Sequence, residues 1–343
     1  MENLTLREKI ILRFVIDDFI SSATPFGSGF ISKNHHIDIG PATIRNVMAD
    51  LEQRGLIEHP YTSAGRVPTD KGYRYYVDSL MERDNLSEDE QASIELQLNS
   101  ARNADDILRE TSKLLGTISR QLSVVSTPQI AKGIFERCEL VSVSTSKLLV
   151  VIAMRSGIVK TIMFEIESEI PRPYLDAIAT LLNEKLAGLT LIQIRETFAV
   201  RLREYAGEQS GLIRLFINSV DDIFSSSKEK EKFHISGTSH ILAQPEFSYE
   251  KNFRAVIELL NNEDIFLQIL NTAAASLEIN SIGIIIGEET RDERLQECSV
   301  ITAQYKLSDV NGSIGIIGPK RMNYARMIPL VEYVASSVTR VLA

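Results

Sequence analysis

The chain has 343 residues, 44% hydrophobic and 24% charged, an ordinary globular composition long enough for two or three domains with sizeable cores. No run of about 18 apolar residues is present, and the start Met1-Glu2-Asn3-Leu4 lacks the basic-then-apolar order of a signal peptide. Two distant cysteines, Cys138 and Cys298, exclude a disulfide framework and give no metal-type spacing, so a cytoplasmic protein without membrane, metal or cofactor partners is expected.

The net charge of −9 argues at first against a nucleic-acid binder. Its distribution weakens that objection. Residues 1–80 carry nine Lys and Arg against ten Asp and Glu, so the acidity lies in the rest of the chain. Within residues 61–76 three cations face one acid. A local basic stripe of that kind binds phosphates weakly, so specificity has to come from geometry.

In chain order, residues 5–22 read as a helix, with Leu6, Ile10, Phe14 and Val15 at helical spacing and Thr5 as its cap. A short helix is expected near 30–34, then a turn to Gly40. The next helix opens at Gly40-Pro41, where proline suits the first turn. Its stripe Ile44, Val47, Met48 and Leu51 faces a core, and Gly55 ends it. A short strand at 56–59, a polar loop at 60–66, and a return at Val67-Pro68 form a two-stranded wing. Thr69 then caps a helix whose inner face is Tyr73, Tyr76, Val77 and Leu80. This order is that of a winged helix-turn-helix; a small helical module with no DNA role is the alternative.

Residues 82–90 read as a polar linker in which Ser87 and Glu90 fit a capping box. One or two helices run to about 122. Strands are expected at 138–144, 147–154 and 158–164, with a hairpin at Ser156-Gly157. Residues 166–232 turn mainly helical (174–186, 197–207 and 211–224). Strands return at 233–235, 281–286, 299–306 and 313–317, with helices near 248–260, 263–276 and 324–342. The fold class expected is α+β and multidomain, with a sheet domain interrupted by a helical insertion.

A recognition helix presents its N-terminal residues to base edges in the major groove. Here these are Ala42, Thr43, Arg45 and Asn46. Arginine can fork onto guanine, asparagine can bridge adenine, and alanine or threonine methyls suit thymine. In the wing, Thr62, Ser63 and Arg66 suit phosphate or minor-groove contact, and Gly65 is read as a positive-φ residue at the tip. Lys71 and Arg74 are read as phosphate anchors on the next helix. The five histidines have no metal spacing, and Gly312, Gly315 and Gly318 are no phosphate loop, since no Lys-Ser/Thr follows. No catalytic constellation stands out. A ligand-responsive regulator and an enzyme carrying a winged helix remain the rival classes.

These residues carry a resemblance. Ala42-Thr-Ile-Arg-Asn-Val-Met-Ala-Asp-Leu-Glu52, Thr62-Ser-Ala-Gly-Arg-Val-Pro-Thr69, Gly72-Tyr-Arg-Tyr-Tyr-Val-Asp78 and Gly315-Ile-Ile-Gly-Pro-Lys-Arg-Met-Asn-Tyr324 resemble the HrcA-type heat-inducible transcription repressors. Tyr61, Lys320, Asn323 and Pro41 depart from the family's usual residues. The resemblance implies three parts: a winged helix at 1–82, a discontinuous GAF-like domain at 83–165 and 233–343, and an inserted dimerisation domain at 166–232. It also implies a homodimer on an inverted-repeat operator of the CIRCE type, upstream of groE- and dnaK-type chaperone operons. A GroE-type chaperonin partner would keep the repressor active until heat draws it to unfolded clients.

Overall fold

The computed structural model describes residues 4–35, 39–61, 65–205, 211–224, 233–262, 265, 266, 268–270 and 282–343. It is a mixed α+β chain in two compact units. The first comprises residues 1–126, 233–305 and 313–341, and the second residues 127–232 with the hairpin tip 306–312 and the last two residues.

The first unit opens with α1 (Leu6–Ser22), α2 (Ser28–Asn34) and α3 (Pro41–Gln53), then β1 (Ile57–Glu58), β2 (Val67–Pro68) and α4 (Asp70–Ser79). Thr5 caps α1 in a reciprocal box with Glu8, so two backbone donors of the first turn are satisfied. Ile11, Leu12, Val15 and Ile16 of α1 are buried, as are Ile31 of α2 and the predicted stripe of α3. Thr69 caps α4 by accepting from the Gly72 N–H, and Tyr73 and Tyr76 form its buried face.

A linker leads to α5 (Glu88–Asn99), capped by Ser87 and Glu90 as expected, and α6 (Ala104–Ser119). The helix stops at Arg120, which is left-handed (φ 53) without a glycine to announce it. Consequently β3 (Leu122–Ser126) begins where the sequence pattern extended a helix.

The second unit holds β4 (Phe135–Ser144), β5 (Lys147–Met154) and β6 (Val159–Glu165), antiparallel in that order. Strict alternation on β5 sends Leu148, Val150, Ile152 and Met154 inward. They pack with Leu175, Ile178 and Leu182 of α7 (Arg172–Leu186), Ile194 and Phe198 of α8 (Leu191–Leu202), and Phe216 of α9 (Gly211–Asn218). Ile223 and Phe224 of α10 (Val220–Phe224) close the same core. Asn183 of α7 ties to β4, accepting from the Cys138 N–H (2.6 Å) and donating to its carbonyl (3.1 Å). The three strands therefore belong with the helices that follow them. The second compact unit begins at 127, and the inner face of β5 covers α7 and α8.

The chain returns to the first unit through β7 (Phe233–Ser236), α11 (Thr238–Leu242), α12 (Glu250–Leu260), β8 (Ile282–Ile286), β9 (Cys298–Leu307), β10 (Val310–Pro319) and α13 (Tyr324–Leu342). The sheet order is β7-β3-β10-β9-β8. Ser126 and Phe233 are register partners, so the insertion leaves and re-enters at the joined ends of two adjacent strands. On one face Leu122, Val124, Val300 and Ile317 pack with Ile241, Phe247, Val256 and Leu259. The helix expected at 263–276 lies largely outside the described residues. Pro329 sits inside α13 and offers no N–H to the Ala325 carbonyl. That carbonyl instead accepts from Asp84 in the linker, at 3.0 Å.

Candidate nucleic-acid interface

The two faces of α3 separate cleanly. Ile44, Val47, Met48 and Leu51 are buried. Pro41, Ala42, Thr43, Arg45 and Asn46 are exposed along its first turns. Among the described residues Arg45 forms no ion pair or hydrogen bond. A guanidinium, an amide and two methyl-bearing side chains thus share one solvent-facing surface, a donor and acceptor set suited to base edges.

The other end of α3 is fixed. Gly55 is left-handed (φ 69), its N–H donates to Glu52 (2.8 Å), and the Leu56 N–H donates to Leu51 (3.0 Å). This is a Schellman ending, sealed by buried Leu51 and Leu56. Arg54 pairs with Glu8 of α1 at 3.1 Å. Glu8 is held below the usual carboxylate range, chiefly by the Thr5 N–H and hydroxyl, with Arg54 adding to them.

In the wing, Ile57 pairs with Pro68 and Glu58 with Val67. A third strand segment comes from the loop before α2: Phe26 and Arg66 form an antiparallel bridge, with the Arg66 N–H donating to Phe26 at 2.8 Å. This bridge corrects the reading of Gly65. Its φ is not positive; a Cβ there would lie 2.4 Å from the Phe26 backbone, so glycine is required by close approach.

Arg66 is also placed differently from expectation. Its Nη2 donates to Glu52 of α3 (2.7 Å) and its Nη1 meets His59 Nδ1 (2.6 Å). It joins the wing to α3, and its guanidinium is engaged within the protein. Phe26, Ser28, Arg45, Met48, His59 and Arg66 line a cleft of about 320 Å³ there. Thr62 and Ser63 lie outside the described residues.

The two cations of α4 divide. Lys71 is exposed and donates to the Arg54 carbonyl (2.8 Å), capping the negative end of α3. Arg74, expected as a phosphate anchor, is engaged within the protein. Its Nε donates to Glu289 (2.9 Å), its Nη2 to the Ile284 carbonyl (2.7 Å), and Asp78 sits 3.4 Å away. Burial opposes its charge, and the Glu289 and Asp78 carboxylates overcome that, so its pKa is raised. Sequence reasoning missed Asp70, Glu289, Lys320 and Arg321 on this side of α4. The block Gly315–Tyr324 signalled that something was there, but not what it touched.

The family model described as "HrcA protein C terminal domain" matches residues 105–328. Relatives named heat-inducible transcription repressor HrcA match nearly end to end. That of Chlorobium limicola is 37% identical, covering 99% of this chain and 98% of the relative. That of Chlorobaculum tepidum is 38% identical, with the same shares covered.

The chain belongs to the HrcA family.

A solved structure titled only as a hypothetical protein superposes with a TM-score of 0.59 at 22% identity, over 99% of both chains, and so shares the fold. The HrcA family model begins in α6, leaving the winged helix to the full-length relatives. No helix among the described residues is long and apolar enough to cross a membrane.

Proposed function

We propose that this HrcA family member represses heat-shock genes, working in the cytoplasm as a homodimer on an inverted-repeat operator. The observation that carries the reading is the bare surface of α3: Ala42, Thr43, Arg45 and Asn46 are exposed together while the opposite face is buried. Arg45 and Asn46 read base edges. Lys71 and the wing tip, Thr62 and Ser63, meet phosphates. Gly65 and Arg66 hold the wing against α3. Two copies present two such helices to two half-sites, each raising the effective concentration of the other.

In this reading the second compact unit, at 127–232, is the dimerisation unit, and the five-stranded sheet with its helices is the GAF-like domain. A GroE-type chaperonin keeps the repressor competent, and heat, by occupying the chaperonin, lowers the active fraction. The protein's role is binding rather than catalysis.

The test is a gel shift with an inverted-repeat duplex and a scrambled control, across salt and chaperonin concentrations. The repeat is expected to bind more tightly at every salt concentration, and chaperonin to raise the active fraction. Equal binding to both duplexes overturns the operator reading. A repeat preference indifferent to chaperonin overturns only the chaperonin step.

A further inference from the structure

The winged helix is joined to the five-stranded sheet by more than the linker. Three stations hold it, all within the first compact unit. At the first, Asp70 and Arg74, one turn apart on α4, meet the segment after β8 and the end of β10. Asp70 Oδ2 accepts from the Glu288 N–H (2.9 Å), and its Oδ1 pairs with Lys320 (2.9 Å). Lys320 also faces Glu297 at 3.5 Å. Arg74 holds the Glu289 carboxylate and the Ile284 carbonyl. The fit is close: a Cβ on Gly287 would lie 2.0 Å from Asp70 Oδ2.

At the second station Arg321 pairs with Glu246, donates to the Gln244 side-chain carbonyl (3.0 Å), and reaches the Ile20 carbonyl at the end of α1 (3.3 Å). At the third, the Asp84 N–H meets the carbonyl that Pro329 leaves open. Buried Tyr73 and Tyr324 lie between the first two, their ring centroids 6.1 Å apart.

A short rigid path runs from the first station to the reader helix. Thr69 donates to the Gly55 carbonyl (2.6 Å), its N–H to Leu56 (3.2 Å), and Lys71 to Arg54 (2.8 Å). The α4 helix therefore carries α3 with it. Whatever fixes α4 on the sheet fixes the direction in which α3 presents its bare surface.

We infer that Asp70, Arg74, Glu289 and Lys320 are positioning residues for operator reading: an ionic latch outside the DNA surface that sets which half-site spacing the dimer accepts. The inference rests on the operator reading above. A two-fold reader accepts only spacings that match the separation and tilt of its two helices. With the latch closed, tilt is a property of the fold. With it open, only the Arg321 and Asp84 stations hold the winged helix, its tilt is set less tightly, and several spacings become acceptable.

The experiment uses the full chain and has two readouts. Binding is measured to repeat duplexes whose spacer is changed by one to three base pairs, and to a duplex with a single half-site. Separately, spin labels on Gln53→Cys and Glu293→Cys report the distance from α3 to the sheet domain without DNA, in labelled chains diluted with unlabelled ones. Both native cysteines are buried, so labelling is confined to the introduced sites.

Wild type is expected to prefer one spacer by about tenfold, a penalty of the size a mismatched site imposes, and to give one narrow label distance. Glu289→Ala and Lys320→Ala should broaden the distance and cut that preference to about twofold or less. Single half-site binding should stay at the wild-type level, and Lys320→Arg, which keeps the cation, should restore both readouts. Variants that keep the wild-type label distance overturn the latch, whatever the DNA result. A broadened distance with the spacer preference intact overturns the positioning role. A wild type that ignores the repeat altogether overturns the operator reading instead, a failure the label distances tell apart from that of the latch.

Discussion

The two ends of α3 face opposite demands. In the first turns Pro41, Ala42, Thr43, Arg45 and Asn46 are exposed, and Arg45 is unengaged among the described residues. The last turns are tied to three neighbours: Glu52 to Arg66, Arg54 to Glu8, and the Arg54 carbonyl to Lys71. Order at the back of the helix makes the bare front usable, because a side chain reads a base edge only if its backbone is already in place. The same residue type serves both ends. Arg45 is left without a partner among the described residues, whereas Arg66 and Arg74 are engaged by carboxylates.

That contrast breaks most severely at the packing beneath the fixed end. A Cβ on Gly72 would lie 2.0 Å from the Leu56 carbonyl oxygen, a backbone atom that cannot swing aside. Gly72→Ala should push α4 off the wing and cost about 2–3 kcal/mol, the upper range for overpacking. Urea unfolding followed by circular dichroism reads it. An unchanged midpoint would mean that α4 does not hold the back of α3.

The contrast sharpens when arginines at the two ends are removed in turn. Arg45→Ala and Asn46→Ala should each reduce discrimination between repeat and scrambled duplex by about 1–3 kcal/mol. As exposed substitutions they should leave the urea midpoint within about 0.5 kcal/mol. Arg66→Ala should do the reverse. It strands Glu52 and costs about 1–2 kcal/mol of stability, with loss of binding only through the weakened wing. If Arg66→Ala lowers discrimination with the fold intact, Arg66 leaves Glu52 to contact DNA.

Much of this was legible in the sequence because local chemistry decides it. Thr5, Thr69 and Ser87 cap where their side chains and followers allow; the α3 stripe and Gly55 mark one helix from end to end; β5 announces itself as a continuous apolar run from Leu148 to Met154. The illegible parts depend on residues far away in the chain. Gly65 is a glycine because of Phe26, and Arg66 and Arg74 look like phosphate anchors until Glu52 and Glu289 are seen beside them. The strand β3 was hidden for a local reason: Arg120 takes a left-handed conformation that arginine rarely adopts. The packing partner of β5 was hidden by topology, since a strand that reads as part of a sheet domain turns its apolar face to α7, α8 and α9.

Lys71 sits at the fixed end of α3 and gives the smallest and most discriminating effect. Its ammonium caps the Arg54 carbonyl, yet the residue is exposed. As a cap at a helix C-terminus it contributes about 0.3–1 kcal/mol. As a phosphate anchor it adds close to one counterion to the salt dependence of binding. The roles separate in a salt titration. If Lys71 is mainly an anchor, Lys71→Ala weakens repeat and scrambled duplex alike and lowers the slope of log affinity against log salt by about one. If it is mainly a cap, the slope is unchanged and only the urea midpoint falls. The first outcome is expected, because an exposed, flexible lysine can exchange a carbonyl for a phosphate at little cost, whereas Arg74, held by a carboxylate and a carbonyl together, cannot.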